Sequence, residues 1–491
     1  MFITTLFSQS RIYSYISEKV IFLYGNFSEK VIFLHSEFQK KVIMLKRKIQ
    51  EDIHNYLISN SNKILLIDGA RQIGKSFIIR HEGKSLFPNY IELNMYEDKK
   101  GNKIFENTRT VQDFYFRMSL VAGDKMGKKE DTLVFIDEIQ AYPDLLTMLK
   151  FLKDDDRFTY IVSGSQLGIA LNETLSKPGG RIMVKRMFPL DFEEFLWANN
   201  AGEDAVRHLQ ESFIAGMSLD DNTHSYIMDL FRKYLLVGGL PDAVNTFLDT
   251  RNLVSVRAVH AELYRLYRED CSQYDSERKL HIRKIYDLIP SNLENTKKRV
   301  VVNEISGKRG KSMADYEQEF EYIVNSGIAL EVSSISNPRF PLKDSQKKSL
   351  IKLYLNDAGI LTNLLFSYNA TAVLDDVPSI NLGSVYENVV ASELKAHGYD
   401  LYYYDNKKNG EVDFLVDDYD TLSAVPIEVK SGKDYKKHSS LDKFMSVKDY
   451  NIKKGIVLSN EREVSTEGNV TYMPVYYAMF LCPSKPLNVT I

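Results

Sequence analysis

The residues with the clearest chemical pattern are Gly69–Ser76, which read GlyAlaArgGlnIleGlyLysSer and are called the phosphate loop below. They fit the pattern G-x-x-x-x-G-K-[ST] at each defined position and follow an apolar run that ends at Asp68. Glycine lets the backbone turn so that successive N–H groups point at phosphate oxygens. Lys75 would reach the β- and γ-phosphates, and Ser76 would offer its hydroxyl to Mg²⁺. The pattern predicts a nucleotide site; the alternative is a glycine-rich turn that matches by accident.

The segments on either side must hold this loop in position. The apolar run at 64–67 predicts a buried strand, and a helix is expected to begin near Lys75. The positive end of that helix would add to the attraction for phosphate. We therefore expect the nucleotide to contact one continuous stretch: Gly69, Ala70, Arg71, Gln72, Ile73, Gly74, Lys75, Ser76 and Phe77.

Two adjacent carboxylates, Asp137 and Glu138, end a second apolar run that begins at Thr132. A buried parallel strand delivers such residues to the carboxyl edge of a sheet, where ligands of α/β proteins bind. Asp137 would hold the Mg²⁺ shell through water, and Glu138 would orient and deprotonate the attacking water. The alternative is an ordinary strand end, which the position downstream of a phosphate loop disfavours.

Further polar candidates follow a third apolar run, Tyr160–Val162. Ser163 and Ser165 are candidates for contact with the γ-phosphate or the attacking water, and a strand-end turn is the alternative. Arg181, after two glycines, is the candidate guanidinium for stabilising charge in the transition state, although a surface position is the commoner fate of such an arginine.

The composition places these candidates in a soluble protein of several domains. The chain has 491 residues, too many for one ordinary core, with 44% hydrophobic and 26% charged residues. The net charge of -3 does not mark the whole molecule as a binder of polyanions, so any basic surface must be local. The 2 cysteines, Cys271 and Cys482, cannot form a disulfide framework or a structural zinc site, which fits a reducing cytoplasm. No apolar span reaches membrane length, so we expect a cytoplasmic protein without a membrane partner.

The N-terminal segment contains an internal repeat. SerGluLysValIlePheLeu at 17–23 recurs at 28–34 and, loosely, at 39–45, and the eleven-residue period keeps apolar side chains on one helical stripe. A helix for self-association and an appended segment without a fold of its own both fit this pattern. We assign no function to residues 1–43.

The middle of the chain is predicted to be helical and then locally basic. Residues 199–295 show helical patterns, with Phe231, Leu235 and Leu236 as core candidates. A helical pattern that ends at Gly327 and strand patterns at 329–335 and 349–355 predict a winged helix, which could lie on a DNA backbone or serve as an internal spacer. The basic patch before this helix consists of Lys297, Lys298, Arg299, Lys308, Arg309 and Lys311.

The last region carries acids and a lysine at strand positions. Residues 411–416 and 426–430 predict two strands, and Asn409-Gly410 predicts a hairpin turn before the first of them. If these strands pair, Asp413 and Glu428 could share a divalent metal, with Lys430 beside it and Glu387 adding a carboxylate from a helix. Exposed Glu-x-Lys pairs are common in strands, so a binding module without cleavage is the alternative.

The order of these motifs resembles an AAA-type P-loop ATPase, specifically a widespread and largely uncharacterised prokaryotic family with a conserved C-terminal domain. The resemblance covers most of the chain from about Leu45 onward. Gln166 departs from the family, which more often has a further small hydroxyl residue there, and this weakens the case for a particular serine as γ-phosphate sensor. The motifs that carry the resemblance are the Walker A loop at 69–76, the Walker B strand LeuValPheIleAspGluIleGln at 133–140, IleValSerGlySer at 161–165, GlyGlyArg at 179–181, PheProLeuAspPheGluGluPheLeu at 188–196 and TyrLeuLeuValGlyGlyLeuPro at 234–241.

The resemblance implies an α/β fold with a P-loop NTPase core around a parallel sheet. It also implies a helical lid over the nucleotide and a C-terminal domain that resembles PD-(D/E)XK nucleases. Because AAA-type relatives often form rings, a homo-oligomer is a further expectation. The predicted organisation is an N-terminal extension at 1–43, the ATPase core at 44–198, the lid at 199–295, a winged-helix-like domain at 296–378 and the nuclease-like domain at 379–491.

The predicted function is that of an ATPase with ATP and Mg²⁺ as cofactors, which drives or gates the action of its C-terminal domains on DNA, RNA or a protein partner. A first alternative is an ATP-regulated, metal-dependent nuclease that uses Asp413, Glu428 and Lys430. A second is an ATP-binding switch that docks a protein partner with negligible turnover. Phosphate release and nucleic-acid cleavage assays separate the three.

Overall fold

The computed structural model of the chain describes residues 44–165, 180–270, 276–307, 310–367, 369–375, 377 and 380–484. The N-terminal repeat at 1–43 and the residues Gln166, Cys271, Lys308 and Arg309 lie outside these ranges. None of the helices within the ranges combines the length and the apolar character needed to span a bilayer.

The first sheet is parallel throughout and carries the phosphate loop. The strand order is β2-β3-β4-β1-β5. The strand β1, which precedes the phosphate loop, therefore lies between β4 and β5 and not beside β2, the next strand in sequence. Each residue of β1 and of β3 is buried, as expected for parallel strands covered on both faces. The strands predicted around residues 64–68, 90–94, 132–137 and 160–162 are confirmed. In the described residues this sheet consists of β1 (Ile64–Asp68), β2 (Asn89–Asn94), β3 (Thr132–Asp137), β4 (Thr159–Gly164) and β5 (Ile182–Arg186).

Helices cover both faces of this sheet. Leu65 of β1 packs in the cluster that holds Ile78, whereas Leu66 packs in the opposite cluster with Phe114. In the first helix, Tyr56 is buried and Ile58 is 64% exposed. The helices are α1 (Ile49–Ile58), α2 (Lys75–Leu86), α3 (Met95–Lys100), α4 (Val111–Ala122), α5 (Pro143–Asp155) and α6 (Phe192–Ala198).

The region after α6 is helical, as predicted. Phe231, Leu235 and Leu236 are buried in the core it shares with the first sheet. Proline is favoured in the first turn of a helix, and Pro241 begins one directly after the Gly238-Gly239 turn. The helices of this region are α7 (Glu203–Ile214), α8 (Asp221–Val237), α9 (Pro241–Thr250), α10 (Leu253–Asp270) and α11 (Ser276–Glu294).

A second, mixed sheet forms the C-terminal half. Its strands in the described residues are β6 (Ala329–Ile335), β7 (Gln346–Leu355), β8 (Tyr402–Asn406), β9 (Gly410–Asp418), β10 (Ser423–Lys430), β11 (Gly455–Ser459), β12 (Ser465–Glu467) and β13 (Val470–Pro474). The helices are α12 (Asn303–Ser306), α13 (Glu317–Asn325), α14 (Ala358–Phe366), α15 (Ala370–Leu374), α16 (Gly383–Ala396) and α17 (Ser439–Met445).

The hairpin β6–β7, which the sequence placed in a winged helix, is the end of this second sheet. The strand order is β12-β13-β11-β10-β9-β8-β6-β7, and β6 runs parallel to β8 with Ser333 opposite Tyr402. Residues 296–378 therefore share a sheet with the region predicted as the nuclease-like domain. The helix α13 ends shortly before β6 begins, so α13 connects the residues around the first sheet to the second sheet.

Candidate functional site

The phosphate loop joins β1 to α2 and requires glycine at two positions. Gly69 has φ 150° and Gly74 has φ 94°, a region that other residues rarely adopt. A Cβ at Gly69 would lie 2.4 Å from the carbonyl oxygen of Met187. The loop backbone is thus held close to the segment that follows β5, and α2 begins at Lys75, as predicted.

Lys75 points into the loop. It is 5% exposed, and Nζ donates hydrogen bonds to the carbonyl oxygens of Gly69 at 2.9 Å and Ala70 at 2.7 Å. Burial lowers the pKa of Lys75, with Glu138 acting against this shift. The ammonium group therefore lies where phosphate oxygens of a nucleotide would replace carbonyl oxygens as acceptors.

Ser76, in the first turn of α2, contacts Asp137, at the end of β3, although the two residues are 61 positions apart in the chain. Ser76 Oγ donates to Asp137 Oδ2 at 2.8 Å, and Ser163 Oγ donates to Oδ1 of the same carboxylate. This convergence follows from the sheet order, since β4, which carries Ser163, lies between β1 and β3. Burial raises the pKa of Asp137. The carboxylate is thus a buried acid beside a hydroxyl, which is a donor pair that suits Mg²⁺.

Glu138 lies beside Asp137 in a left-handed backbone conformation, with φ 51°. Such conformations are uncommon outside glycine and concentrate at functional sites. Glu138 Oε2 accepts hydrogen bonds from Gln140 Nε2 and, at 3.2 Å, from Ser165 Oγ. The carboxylate is thereby oriented by two polar side chains. Gln140 was not among the predicted site residues, although it lies only two positions after Glu138.

Arg71 connects the phosphate loop to the helical region, which sequence reasoning did not predict. Its Nη1 donates to Asp270 Oδ1, and its carbonyl oxygen accepts a 2.9 Å hydrogen bond from the hydroxyl of Tyr267. Arg71 Nε also lies 3.4 Å from Ser165 Oγ. Burial raises the pKa of Asp270 to about 6. No local motif marks Asp270, because its role depends on the packing of α10 against the loop.

Arg181 is not brought to the phosphate loop of its own chain. It precedes β5, and its carbonyl oxygen accepts a hydrogen bond from the N–H of Ile64 at 2.8 Å, at the amino end of β1. Its guanidinium pairs with Asp154 at 2.8 Å. Arg186, at the carboxyl end of β5, lies on the side of the phosphate loop instead, with Nε 3.9 Å from Asp68 Oδ2. Phe77, on the first turn of α2, is 42% exposed.

The C-terminal candidates Asp413, Glu428 and Lys430 lie together on the antiparallel pair β9 and β10. Lys430 Nζ donates to Glu428 Oε1 at 2.7 Å, and Asp413 Oδ2 accepts the N–H of Val429 at 2.9 Å. Glu428 Oε2 is buried and has no hydrogen-bond partner among the described residues. Burial raises the pKa of Glu428 to about 8, and the charge of Asp413 adds to the effect.

Glu387 of α16 joins this group through contacts that were not predicted. Its Oε1 accepts a hydrogen bond from Lys298 Nζ, and its Oε2 accepts one from Tyr354 at 2.9 Å. Burial and Asp413 raise the pKa of Glu387. Among the described residues, the carboxylates of Glu387, Asp413 and Glu428 do not bring one oxygen each within 4.8 Å of one another. A cation here would need water or phosphate oxygens to complete its shell.

The predicted basic patch is largely neutralised within the chain. Lys308 and Arg309 lie outside the described residues. The other members are ion-paired: Lys297 and Arg299 with Asp405, Lys298 with Glu387, and Lys311 with Asp315. These pairs reduce the positive charge available to a nucleic-acid backbone at this surface.

Comparisons with known proteins agree with the geometry of the first sheet. Residues 61–196 match the family model described as an AAA domain, and this match supports a P-loop ATPase core in this part of the chain. Residues 228–370 match a domain of unknown function (DUF8612), and residues 382–478 match another domain of unknown function (DUF4143). These two matches assign no activity to the C-terminal half.

Individual relatives are distant. An uncharacterised protein of Methanocaldococcus jannaschii is 25% identical over 379 residues, which cover 75% of each chain. The Walker-type ATPase of Pyrococcus abyssi is 12% identical and superimposes with a TM-score of 0.41, covering 66% of this chain and 96% of its own. The ADP complex of Hsp104 from S. cerevisiae is 12% identical with a TM-score of 0.30, covering 72% of this chain and 56% of its own. Superpositions this loose carry no argument of their own.

Proposed function

We propose that this chain hydrolyses MgATP and that the nucleotide state alters how its C-terminal region engages nucleic acid or a protein partner. The observation that supports hydrolysis is the hydrogen bond between Ser76 and Asp137, beside the buried Lys75 and the oriented carboxylate of Glu138. This grouping contains a phosphate-binding lysine, oxygen donors for Mg²⁺ and a candidate base, which are recurring parts of sites that transfer phosphoryl groups to water.

The residues present suit MgATP. The positive φ values of Gly69 and Gly74 let the loop backbone turn so that its N–H groups can face phosphates, and Lys75 supplies a positive charge within the loop. Ser76 and Asp137 offer the oxygen donors that Mg²⁺ prefers, and Mg²⁺ would neutralise charge on the β- and γ-phosphates. Because burial raises the pKa of Asp137, a bound cation would stabilise its ionised form.

Glu138 is assigned as the general base. It orients a water molecule whose oxygen bonds to the γ-phosphorus while the bond to the β-phosphate oxygen breaks, and it accepts the proton of that water. Ser165 and Gln140 hold the carboxylate in place, and Ser163 holds Asp137. Arg181 lies at the opposite end of the sheet, so any role for it in hydrolysis requires the nucleotide of a second copy in an oligomer.

The link to the C-terminal region runs through α10 and α13. Asp270 pairs with Arg71 of the phosphate loop, and its carbonyl oxygen accepts a 2.9 Å hydrogen bond from the hydroxyl of Tyr322 in α13. Gly327, directly after α13, lies against the loop as well, since a Cβ there would be 3.0 Å from the backbone nitrogen of Ala70. A change in the loop on nucleotide binding therefore reaches the residues that begin β6.

The experiment that tests the proposal combines binding and turnover. Calorimetry should show ATP binding to the parental protein and none to Lys75→Ala, and phosphate release should require Mg²⁺. Lys84→Ala is the matched control, because Lys84 lies exposed on the same helix and away from the loop. Folded protein that binds neither ATP nor ADP would overturn the proposal. Tight binding without phosphate release, with or without added DNA, RNA or lysate fractions, would leave an ATP-binding docking switch instead.

A second candidate function is metal-dependent cleavage of nucleic acid at the C-terminal acids. The observation that favours it is the buried Glu428 Oε2, which lacks a hydrogen-bond partner among the described residues and lies near Asp413 and Lys430. A divalent cation between Asp413 and Glu428 would supply the missing positive charge. Lys430 would then steady a phosphate or orient water.

Cleavage is tested by incubating plasmid, single-stranded DNA and RNA with Mg²⁺ or Mn²⁺. A nuclease should lose cleavage in Asp413→Asn and keep at least basal cleavage in Lys75→Ala. Asp420→Asn is the matched control, because Asp420 is an exposed aspartate just beyond the same strand. Equal cleavage by Asp413→Asn and the parental protein would assign the activity to a contaminant and reject this function.

A further inference from the structure

A separate cluster of potential ligands lies where the ATPase domain meets the C-terminal domain. It consists of Asp191, Glu393 and His397, and one ligand atom from each lies within 4.8 Å of the others. Asp191 precedes α6, whereas Glu393 and His397 lie at the end of α16. Neither the nucleotide site nor the C-terminal acids use these residues.

His397 is held with one ring nitrogen directed into the cluster. Its Nδ1 lies 2.8 Å from the carbonyl oxygen of Leu481, and a carbonyl oxygen can only accept a hydrogen bond, so Nδ1 carries a proton. Nε2 lies 3.5 Å from Asp191 Oδ2 and 3.8 Å from Glu393 Oε2, and it has no hydrogen-bond partner among the described residues. Histidine ligands of metals commonly donate their other N–H to a backbone carbonyl in this way.

Glu393 presents a second unpartnered atom to the same point. Its side chain is 1% exposed. Oε1 accepts a 2.7 Å hydrogen bond from the N–H of Phe192, but Oε2 has no hydrogen-bond partner among the described residues. A buried carboxylate oxygen without a partner is costly. A cation at this point would remove that cost.

The local charge also favours a divalent cation. The acids of the group outnumber its basic side chains by one: Asp191, Glu193, Glu194 and Glu393 against Arg47, Lys48 and His397. Arg47 pairs with Glu194 at 3.0 Å. Lys48 Nζ lies 2.6 Å from both Asp191 Oδ2 and Glu193 Oε2, so its ion pair with Glu193 remains when a metal cation binds Asp191.

We propose that Asp191, Glu393 and His397 bind a transition-metal dication of the zinc class, which joins the ATPase domain to the C-terminal domain. Nitrogen and carboxylate donors suit this class. A tetrahedral site with bonds of about 2.1 Å separates its ligand atoms by about 3.4 Å. The 3.5 Å and 3.8 Å separations at His397 Nε2 are already close to that value. A water molecule or further side chain fills the fourth position.

The experiment uses the full chain after chelation, with Zn²⁺ and Co²⁺ as probes. The parental protein should bind one more Zn²⁺ than His397→Gln, and Zn²⁺ should raise the Tm of the parental protein more than that of His397→Gln. His397→Gln should weaken the affinity by more than the ~10- to 100-fold typical of losing an outer-shell partner. Lys48→Met should tighten binding, because it removes a competing cation from Asp191. His81→Gln, an exposed histidine on α2, is the control.

The same Zn²⁺ titration is repeated with Asp413→Asn, which removes metal binding at the C-terminal acids. This variant should still bind the Zn²⁺ held by Asp191, Glu393 and His397. One further measurement uses only the parental protein, so its result does not depend on whether a variant folds. X-ray absorption of the Zn²⁺-loaded parental protein should show one imidazole nitrogen with oxygen ligands and no sulfur. A spectrum without imidazole, no Zn²⁺ uptake after chelation, or equal uptake by folded His397→Gln would overturn the proposal.

Discussion

Arg71 of the phosphate loop and Asp270 at the end of α10 form an ion pair that ties the nucleotide site to the helical region. The hydroxyl of Tyr267 supports the pair from the same helix, by donating to the carbonyl oxygen of Arg71 at 2.9 Å. Burial nevertheless raises the pKa of Asp270 to about 6, because the attraction of Arg71 does not fully offset desolvation. The pair is therefore sensitive to pH within the range in which the protein can be studied.

The first prediction concerns the pH dependence of stability. Because the folded-state pKa of Asp270 is about 6 against a usual 3.8, the folded chain holds this proton more tightly than the unfolded chain. The contribution of Asp270 to stability thus falls as pH rises from about 4 to about 6. Asp270→Asn removes this pH-dependent contribution to the free energy of unfolding. The Tm of Asp270→Asn minus that of the parental protein should increase between pH 4.5 and pH 7, as measured by calorimetry.

Asp249→Asn is the control for that measurement, because Asp249 is an exposed aspartate on the neighbouring helix α9. Its Tm difference from the parental protein should stay level over the same range. A Tm difference for Asp270→Asn that is flat or that falls with pH would contradict a raised pKa.

The second prediction concerns Glu138. Glu138→Gln keeps the shape and the hydrogen-bonding capacity of the side chain but cannot accept a proton, so ATP binding should persist. Turnover should fall by roughly 10²- to 10⁴-fold, the usual contribution of a general base. Calorimetry and steady-state phosphate release measure the two effects. Glu130→Gln, the same change at an exposed position before β3, should alter neither. Parental turnover by Glu138→Gln would remove Glu138 from the mechanism.

The nucleotide site illustrates what sequence can predict. Ser76 and Asp137 each follow a buried run, and parallel strands end at one edge of a sheet, so their proximity was predictable without knowing which strands are neighbours. The same rule explains why Arg181 lies away from the phosphate loop of its own chain. A residue that precedes a parallel strand lies at the opposite edge, and β5 begins only at Ile182. The position of Arg186, at the end of that strand, follows from the rule once the strand is known.

The C-terminal acids show which contacts sequence patterns do not predict. The sequence left the pairing of β9 and β10 open, and the structure shows that they pair and bring Asp413 near Glu428. Lys298 looked like part of a solvated basic patch, but its side chain donates to the buried Glu387. Such a pair joins segments far apart in sequence, and nothing local specifies which acid a lysine will meet. The continuity of the hairpin β6–β7 with the C-terminal sheet was hidden for the same reason.

The third prediction concerns Lys298. Its ammonium group contacts Glu387. Burial alone would lower the pKa of Lys298, but the charges of Glu387 and then Asp413 outweigh burial and raise it. Lys298 therefore competes with any cation at these acids. Lys298→Met should bind Mn²⁺ more tightly than the parental protein, by titration monitored with electron paramagnetic resonance. Lys297→Met, the exposed neighbour, should not. Unchanged or weaker Mn²⁺ binding by Lys298→Met would show that its charge does not oppose a metal.

The last prediction concerns the contact between the ATPase domain and the helical region at Gly239. A Cβ at this position would lie 2.0 Å from the carbonyl oxygen and 2.7 Å from the nitrogen of Leu190. Leu190 cannot move away freely, because its N–H donates to the carbonyl oxygen of Gly239 at 2.7 Å. Gly239→Ala should therefore destabilise the protein by at least the ~1–3 kcal/mol typical of overpacking and lower its Tm in calorimetry. Gly432→Ala, where a Cβ would meet nothing within 4 Å, should melt like the parental protein. If Gly239→Ala also melted unchanged, the two segments would have to be farther apart than the structure places them.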